Sequence, residues 1–486
     1  MGLILVLGLL FSGCAQDSTG EAIKKITEKS VVPTDKTPEC TVLFSGMDFN
    51  QDYNRQTVNV CKNTYNLAEG INISGNGITL NCNNSNIIGN GSEKGIEIIG
   101  NNNTITKCNV ENYEIGFSLS LYLMETQNNI LTENTAKSNN RGFGLGDFAL
   151  NNTITNNISK ENYSAGFEIR GNSNTITNNI SLDNLDTGGY HVYGIVIGGE
   201  ENIISNNLVS NNERGVEIGG ARNTVSNNKF FDNKTTGLTL VGPNNTVSNN
   251  IAKGNIGAGF YVWEDFQNAS NNVLIGNYSK QNGRGISVQA ENTNLIGNIV
   301  SENNQNGLTM YSESNNLDLS TNYFCYNSVK DISCTDSNQT TFFFDHFDTI
   351  GESGCNLFSS EGFETVNSCP VCSDLNSYVC GDVDLDGNVT VADLTYLVNY
   401  LFKGGEPPLL ECMGNVDGIT GSYPIDVADL TYFVNYLFKG GPALVCGEGT
   451  TGKSIDSDLT EKQAMDIYNN AMEKYYTSIE EPELTK

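Results

Sequence analysis

One repeat governs what this chain can fold into. The tripeptides Asn103-Thr104-Ile105, Asn152-Thr153-Ile154, Asn174-Thr175-Ile176, Asn202-Ile203-Ile204, Asn223-Thr224-Val225, Asn245-Thr246-Val247 and Asn294-Leu295-Ile296 return with a period of about 22 residues, within the range of coil-forming repeats. A glycine followed by an apolar residue recurs in phase with them, as Gly95-Ile96, Gly116-Phe117, Gly166-Phe167, Gly194-Ile195, Gly215-Val216, Gly237-Leu238, Gly259-Phe260, Gly285-Ile286 and Gly307-Leu308. Alternating runs such as Thr153-Ile154-Thr155 and Phe167-Glu168-Ile169 are too short to bury an apolar face alone, so each unit must stack on its neighbour. This predicts a parallel β-solenoid. Asparagine at the corners accepts left-handed backbone angles and bonds to its equivalent one coil away, while glycine supplies the tighter bends.

The repeat is legible over residues 65–322. About eleven coils at ~4.8 Å each predict a rod on the order of 50 Å long, with inserted loops near residues 121 to 140, 183 to 193 and 264 to 271. Residues 37–64 form an N-terminal cap bracketed by Cys40 and Cys61, and residues 323–378 a cysteine-rich connector. Cys82 and Cys108 hold the same place in adjacent units, so they are expected to stack, as a disulfide or a buried ladder.

Over residues 65–322 the chain resembles the pectin-lyase-like superfamily, and more closely its parallel β-helix repeat proteins with Asn-Thr-Ile units. The resemblance implies an all-β right-handed parallel β-helix. It also implies one of several activities, since the group holds polysaccharide lyases, hydrolases, epimerases, carbohydrate-binding surface proteins and copper-site maturation factors. The last class needs chelating side chains, and the chain has two histidines, His191 and His346.

A different duplication occupies residues 379–447. Asp382, Asp384, Asp386, Asn388, Thr390 and Asp393 surround Gly387 with the spacing of a twelve-residue calcium loop, in which alternate positions supply oxygen ligands and the central glycine allows the sharp turn. Leu394, Leu397, Val398, Leu401 and Phe402 then line one face of a predicted helix that Gly404-Gly405 ends. The segment from Asp393 to Gly405 returns almost unchanged from Asp429 to Gly441. The second loop, Asn415 to Asp429, is longer and lacks the central glycine, but Asn415, Asp417, Asp426 and Asp429 suit ligation. This pair of loop-helix units resembles the dockerin family, which implies a small α-helical module, two calcium ions and a cohesin domain as partner.

Aligning the solenoid units by their glycines puts Glu97, Glu168, Glu217 and Tyr261 on outward positions of one strand, with Arg170, Trp263, Gln289 and Tyr311 two residues further on. Glu168, Arg170 and Glu217 are the catalytic candidates, because paired carboxylates serve acid-base chemistry on sugars and arginine can hold a uronate. Tyr261, Trp263 and Tyr311 are the carbohydrate-binding candidates. Tyr190, His191 and Tyr193, in the loop from Asp186 to Gly194, form a weaker set for an epimerase or lyase. Polar outward positions are also what any solenoid presents. Three readings therefore stand: a polysaccharide-binding protein assembled through its dockerin in polysaccharide breakdown, a lyase or glycoside hydrolase, and a non-catalytic surface scaffold or adhesin.

With 26 basic against 56 acidic residues the formal charge is -30, a balance that repels phosphate backbones and suits divalent cations, so nucleic acid is not an expected partner. Residues 1–14 read as a signal peptide ending in Phe11-Ser12-Gly13-Cys14, a lipobox in which Cys14 carries the lipid. Ordinary cleavage near Ala15 is the alternative. Either way the protein is extracellular, secreted or lipid-anchored at the cell surface, with a polar linker over residues 15–36. Apart from Cys14 twelve cysteines remain, Cys369 and Cys372 among them, an even number that favours disulfides in an exported chain. Residues 448–486 form an acidic tail, in which Thr460-Glu461-Lys462-Gln463 opens a predicted amphipathic helix presenting Met465, Tyr468, Met472, Tyr475 and Ile479. Asn-X-Ser/Thr tripeptides, including those at Asn151, Asn157, Asn162, Asn179, Asn244, Asn268 and Asn277, are candidate glycosylation acceptors.

Overall fold

The computed structural model describes residues 40–446 except 120–124, 186–191, 265–268, 313, 335–339, 344–345, 348–349, 352–356, 362–378, 384–387, 404–407, 409–410 and 418–424. Cys14, the polar linker, Cys369 with Cys372, and the tail with its predicted helix lie outside the described residues.

Each coil is built from short strands on three faces. Strands that carry or adjoin the recurrent glycine, from Met47–Phe49 to Ile350–Gly351, form a fourteen-stranded parallel sheet. The other two faces are made by strands of the Thr153–Thr155 and Ile158–Lys160 kinds. Thr153 pairs with Thr175 and then Ile203, and Ile158 with Ile180 and then Leu208. Pairing continues past both ends of the legible repeat: Met47–Phe49 pairs with Ile71–Ile73, and Thr340–Phe343 with Leu357–Glu361. The eleven predicted coils are therefore an undercount, because end coils keep the apolar alternation of Ile71-Asn72-Ile73 without the Asn-Thr-Ile signature. Fourteen strands at ~4.8 Å apart give a rod of about 60 Å.

Inward residues stack in files. Ile154, Ile176, Ile204, Val225 and Val247 are in register and fully buried, and the rings of Phe117, Phe143 and Phe167 lie nearly parallel with centroids 4.7 and 4.8 Å apart. The corners hold two asparagines with separate duties. Asn151, Asn156 and Asn178 take left-handed angles (φ 56°, 55° and 55°), while the residue after each, Asn152, Asn157 or Asn179, is buried. The repeat pattern alone assigns both roles to one asparagine; the fold divides them between neighbours.

The buried asparagines form ladders along the rod. One includes Asn134, Asn157, Asn179, Asn207, Asn228, Asn250, Asn277, Asn298 and Asn322. At a typical rung the backbone N–H and Nδ2 of Asn157 donate to Oδ1 of Asn179 at 2.9 and 3.1 Å, and Nδ2 also donates to the Leu131 carbonyl at 2.8 Å. Such amides satisfy polar backbone that the corner would otherwise bury unpaired.

The recurrent glycines answer a different need from the one predicted. Gly166 has no left-handed φ, but a Cβ there would stand 2.5 Å from the Gly194 carbonyl oxygen and 2.5 Å from Ser181 Oγ. Close approach of the next coil requires glycine, not a bend.

Disulfides join Cys40 to Cys61 and Cys82 to Cys108, each with Cα atoms 4.8 Å apart, one strand spacing. A second, separate core belongs to the C-terminal module. Helices Val391–Lys403 and Val427–Lys439 bury Leu394, Leu397, Val398, Leu430, Phe433 and Val434 together with Val416 and Ile425. The disulfide Cys380–Cys446 and a bridge between Asp417 and Val445 close this module.

Candidate functional site

The in-register pairing of the fourteen-stranded sheet turns sequence spacing into a surface. Glu168 pairs with Val196, Val196 with Glu217, Glu217 with Thr239, and Thr239 with Tyr261. Glu168 and Glu217 are thus two strands apart, about 10 Å along the rod, and Tyr261 lies the same distance beyond Glu217. The surface divides into a charged part and an aromatic part.

In the charged part, Glu168 is held from two sides. Its Oε2 accepts from Arg141 Nε at 2.8 Å, and its Oε1 accepts from Arg170 Nε at 2.8 Å and Nη2 at 2.6 Å. Glu217 lies 3.6 Å from Arg214 Nη1, and the Arg214 guanidinium sits 5.5 Å from the centre of the Tyr193 ring. Burial first, then the charge of Glu217, pushes the Tyr193 hydroxyl above the usual tyrosine range, although Arg214 opposes this. Of the catalytic candidates the fold brings Arg170 to Glu168, while Glu217 keeps a separate set of partners. Tyr190 and His191 lie outside the described residues.

In the aromatic part, Tyr261 and Trp263 share the strand Ala258–Trp263, with ring centroids 6.0 Å apart and planes within 13° of parallel. The Tyr311 ring lies 6.4 Å from that of Tyr261. Hydrogen bonds brace the group: Tyr261 Oη donates to Gln289 Oε1 at 2.8 Å, and Arg284 Nη1 donates to Tyr311 Oη at 3.1 Å. Arg284 is itself held by Gln305 Oε1, 3.0 Å from its Nε.

Arg141, Arg214 and Arg284 escape a reading confined to outward positions after the glycine. A signal was available, because each directly precedes that glycine, in Arg141-Gly142, Arg214-Gly215 and Arg284-Gly285. Lys94-Gly95 follows the same rule, and Lys94 pairs with Glu97.

In the module, Asp384 and Asp386 lie outside the described residues, whereas Asp382 and Asp393 are buried. Thr390 Oγ1 accepts from the Ala392 N–H at 3.1 Å, and Asp393 Oδ2 accepts from the Thr390 N–H at 2.8 Å, so both cap the first helix. The second loop repeats this. Asp426 Oδ1 accepts from the Ala428 N–H at 2.7 Å and Asp429 Oδ2 from the Asp426 N–H at 2.9 Å, a capping box. Asp429 Oδ1 also accepts from the N–H groups of Val416 and Asp417, at 2.9 and 3.3 Å. Burial, with the charges of Asp417 and Asp426 adding to it, pushes the Asp429 carboxyl up to about 7 against these N–H bonds. Asn415 is buried beside this group, and Asn388 is exposed. Among the described residues no three His, Cys, Asp or Glu side chains are already arranged as a metal cage.

The family described as right handed beta helix region matches residues 45–192 and 181–324. The chain belongs to this family. Similar solved structures of the β-helix include the A-module of mannuronan C-5 epimerase AlgE4 from Azotobacter vinelandii, 11% identical, covering 68% of this chain and 91% of that one with a TM-score of 0.35. A mutant of the periplasmic alginate epimerase AlgG is 15% identical, covering 60% and 77% at a TM-score of 0.37. A mutant tailspike protein of Escherichia coli bacteriophage HK620, in complex with a pentasaccharide, is 11% identical, covering 67% and 73% at a TM-score of 0.37. No curated protein matches the chain. The disulfides of the β-helix and of the C-terminal module are those of a chain that folds in an oxidising compartment. Among its described residues no helix is long and apolar enough to cross a membrane.

Proposed function

We propose that this β-helix is an extracytoplasmic polysaccharide-binding protein whose contact surface is Tyr261, Trp263 and Tyr311. The observation that carries the reading is the near-parallel pair of rings on one strand, with Tyr261 held from the next coil by Gln289 and the neighbouring Tyr311 held by Arg284. Rings fixed in this way offer broad apolar faces at small entropic cost, with hydroxyl and amide groups at their edges for the hydroxyls of a sugar. Glu168 and Glu217 position arginines on this reading. A lyase or hydrolase using Glu168 needs a carboxylate free to exchange a proton with substrate, and both oxygens of Glu168 are engaged by Arg141 and Arg170. Affinity electrophoresis through gels containing neutral or acidic polysaccharides tests the proposal: at least one gel should retard the protein, and Trp263→Ala should weaken retention about ten-fold, the effect of losing ~1.4 kcal/mol. Unchanged retention in the variant would remove the aromatic surface from the account.

For the C-terminal module we infer a dockerin-like calcium unit. Asp382, Asp384, Asp386, Asn388, Thr390 and Asp393 would hold one ion, and Asn415, Asp417, Asp426 and Asp429 a second. The all-oxygen donor set suits a hard divalent cation, and the buried Asp429 beside Asp417 and Asp426 is a charge arrangement that such a cation relieves. Calcium would tie each loop to the start of its helix and supply no further chemistry. A cohesin-type domain is the partner this reading implies, and lipid on Cys14 would hold the whole chain at a membrane surface. Calorimetric titration of the chelator-treated protein should give two calcium equivalents, and none would end the calcium reading.

A further inference from the structure

Asn-X-Ser/Thr tripeptides abound in a chain so rich in asparagine, and the fold sorts them by what each amide already does. Asn157, Asn162, Asn179, Asn233 and Asn277 are rungs of the ladders, buried, with Nδ2 donating to the next rung at 2.9 to 3.1 Å. A sugar on that nitrogen would replace the hydrogen bond and require space the corner does not have. At Asn102, Asn151 and Asn244 the first residue is exposed, but the middle one, Asn103, Asn152 or Asn245, is a buried rung. No transferase can draw such a tripeptide into its cleft without undoing the corner. At Asn83 the serine is the buried Ser85, which donates to the Cys61 carbonyl at 3.2 Å. Asn72 is followed by the buried Ile73, and the threonine after Asn388 caps a helix.

Asn90-Gly91-Ser92 differs from all of these. Its three residues are exposed and lie between the strands Thr79–Ile88 and Lys94–Ile98. Gly91 has φ 89°, and both the N–H and the Oγ of Ser92 donate to Asn90 Oδ1, at 3.2 and 2.7 Å. This local turn presents amide and hydroxyl side by side, which is what an enzyme that reads both groups must find. We propose that Asn90 is an N-glycosylation site, the one acceptor that the folded chain offers among the described residues. In the transfer, Nδ2 of Asn90 bonds to the anomeric carbon of an oligosaccharide carried on a lipid diphosphate. The anomeric carbon–oxygen bond breaks, the lipid diphosphate leaves with the electron pair, and Nδ2 gives up one proton.

The test uses the folded full chain with its disulfides intact. An oligosaccharyltransferase first shown to modify a synthetic peptide containing Asn90-Gly91-Ser92 is supplied with its lipid-linked donor, and glycopeptides are mapped by mass spectrometry. The expected result is modification at Asn90 and at no ladder asparagine, lost in Asn90→Gln and Ser92→Ala and kept in Ser92→Thr. Modification of Asn157 or Asn179 in the folded chain, or an unmodified Asn90, would overturn the proposal.

Discussion

The solenoid and the C-terminal module are both built by duplication, yet they handle buried polar groups in opposite ways. In the solenoid, neutral amides fill the corners, and each is matched by the next coil, as when Asn157 donates to Asn179 and Asn179 to Asn207. The module buries carboxylates instead, Asp393 and Asp429, which accept from N–H groups of their own loops. A neutral ladder is complete within the chain. A buried carboxylate beside two others gains from a cation or a proton. The two regions should therefore respond to different insults.

The largest effect is expected in the solenoid. Asn179→Ala removes the acceptor of the Asn157 backbone N–H and Nδ2 and the donor to the Ile154 carbonyl, several buried groups at ~1–3 kcal/mol each. Urea unfolding followed by far-ultraviolet circular dichroism should show a loss of about 5 kcal/mol, whereas Asn178→Ala, at the exposed neighbour, should cost about 1 kcal/mol through its left-handed angle. Equal losses would erase the division of labour between the paired asparagines. Gly166→Ala should rank with Asn179→Ala, because its new Cβ meets the Gly194 carbonyl.

Next comes the module's cross-link. Replacing Cys380 and Cys446 together by serine opens a loop spanning 66 residues, which should cost the module roughly 4 kcal/mol and leave the unfolding of the solenoid where it was. Calcium removal is expected to follow. At a free concentration one hundred times the dissociation constant, one bound ion stabilises by about 2.7 kcal/mol, so a chelator should lower the module's transition in calorimetry and not the solenoid's. A chelator-insensitive module would mean that the helix caps alone account for Asp393 and Asp429. The smallest change in stability belongs to Trp263→Ala and Glu168→Gln, each within about 1 kcal/mol by thermal melting, although the first should lose glycan binding.

How much of this was legible beforehand differs between the same two regions. The solenoid advertises itself because every coil repeats the same requirement, so Asn-Thr-Ile and the glycine pairs gave its fold and put Tyr261 and Trp263 on one surface. What the pattern hid was pairwise. Asn151 and Asn152 look alike in sequence, and only the corner geometry exposes one and buries the other. Equivalent places in adjacent units predict a disulfide or a ladder for Cys82 and Cys108, and their 4.8 Å Cα separation accommodates the bond. The pattern also hides Arg141 as the partner of Glu168, because that contact crosses from one coil to the next. In the module, the two helices are legible from their apolar faces, while the observed roles of Thr390, Asp393, Asp426 and Asp429 as caps share the pattern of the ligand roles proposed for them, since both require oxygen at a helix start.

Trp263 is the chain's one tryptophan, so its fluorescence reports directly on the proposed contact surface. Titrating the intact protein with the polysaccharide that retards it most, while assaying the same samples for new reducing or unsaturated ends, tests the central claim. A saturable change in Trp263 emission without new ends is the predicted result. New ends that disappear in Glu168→Gln or Glu217→Gln would contradict it and make the charged part of the surface an active site.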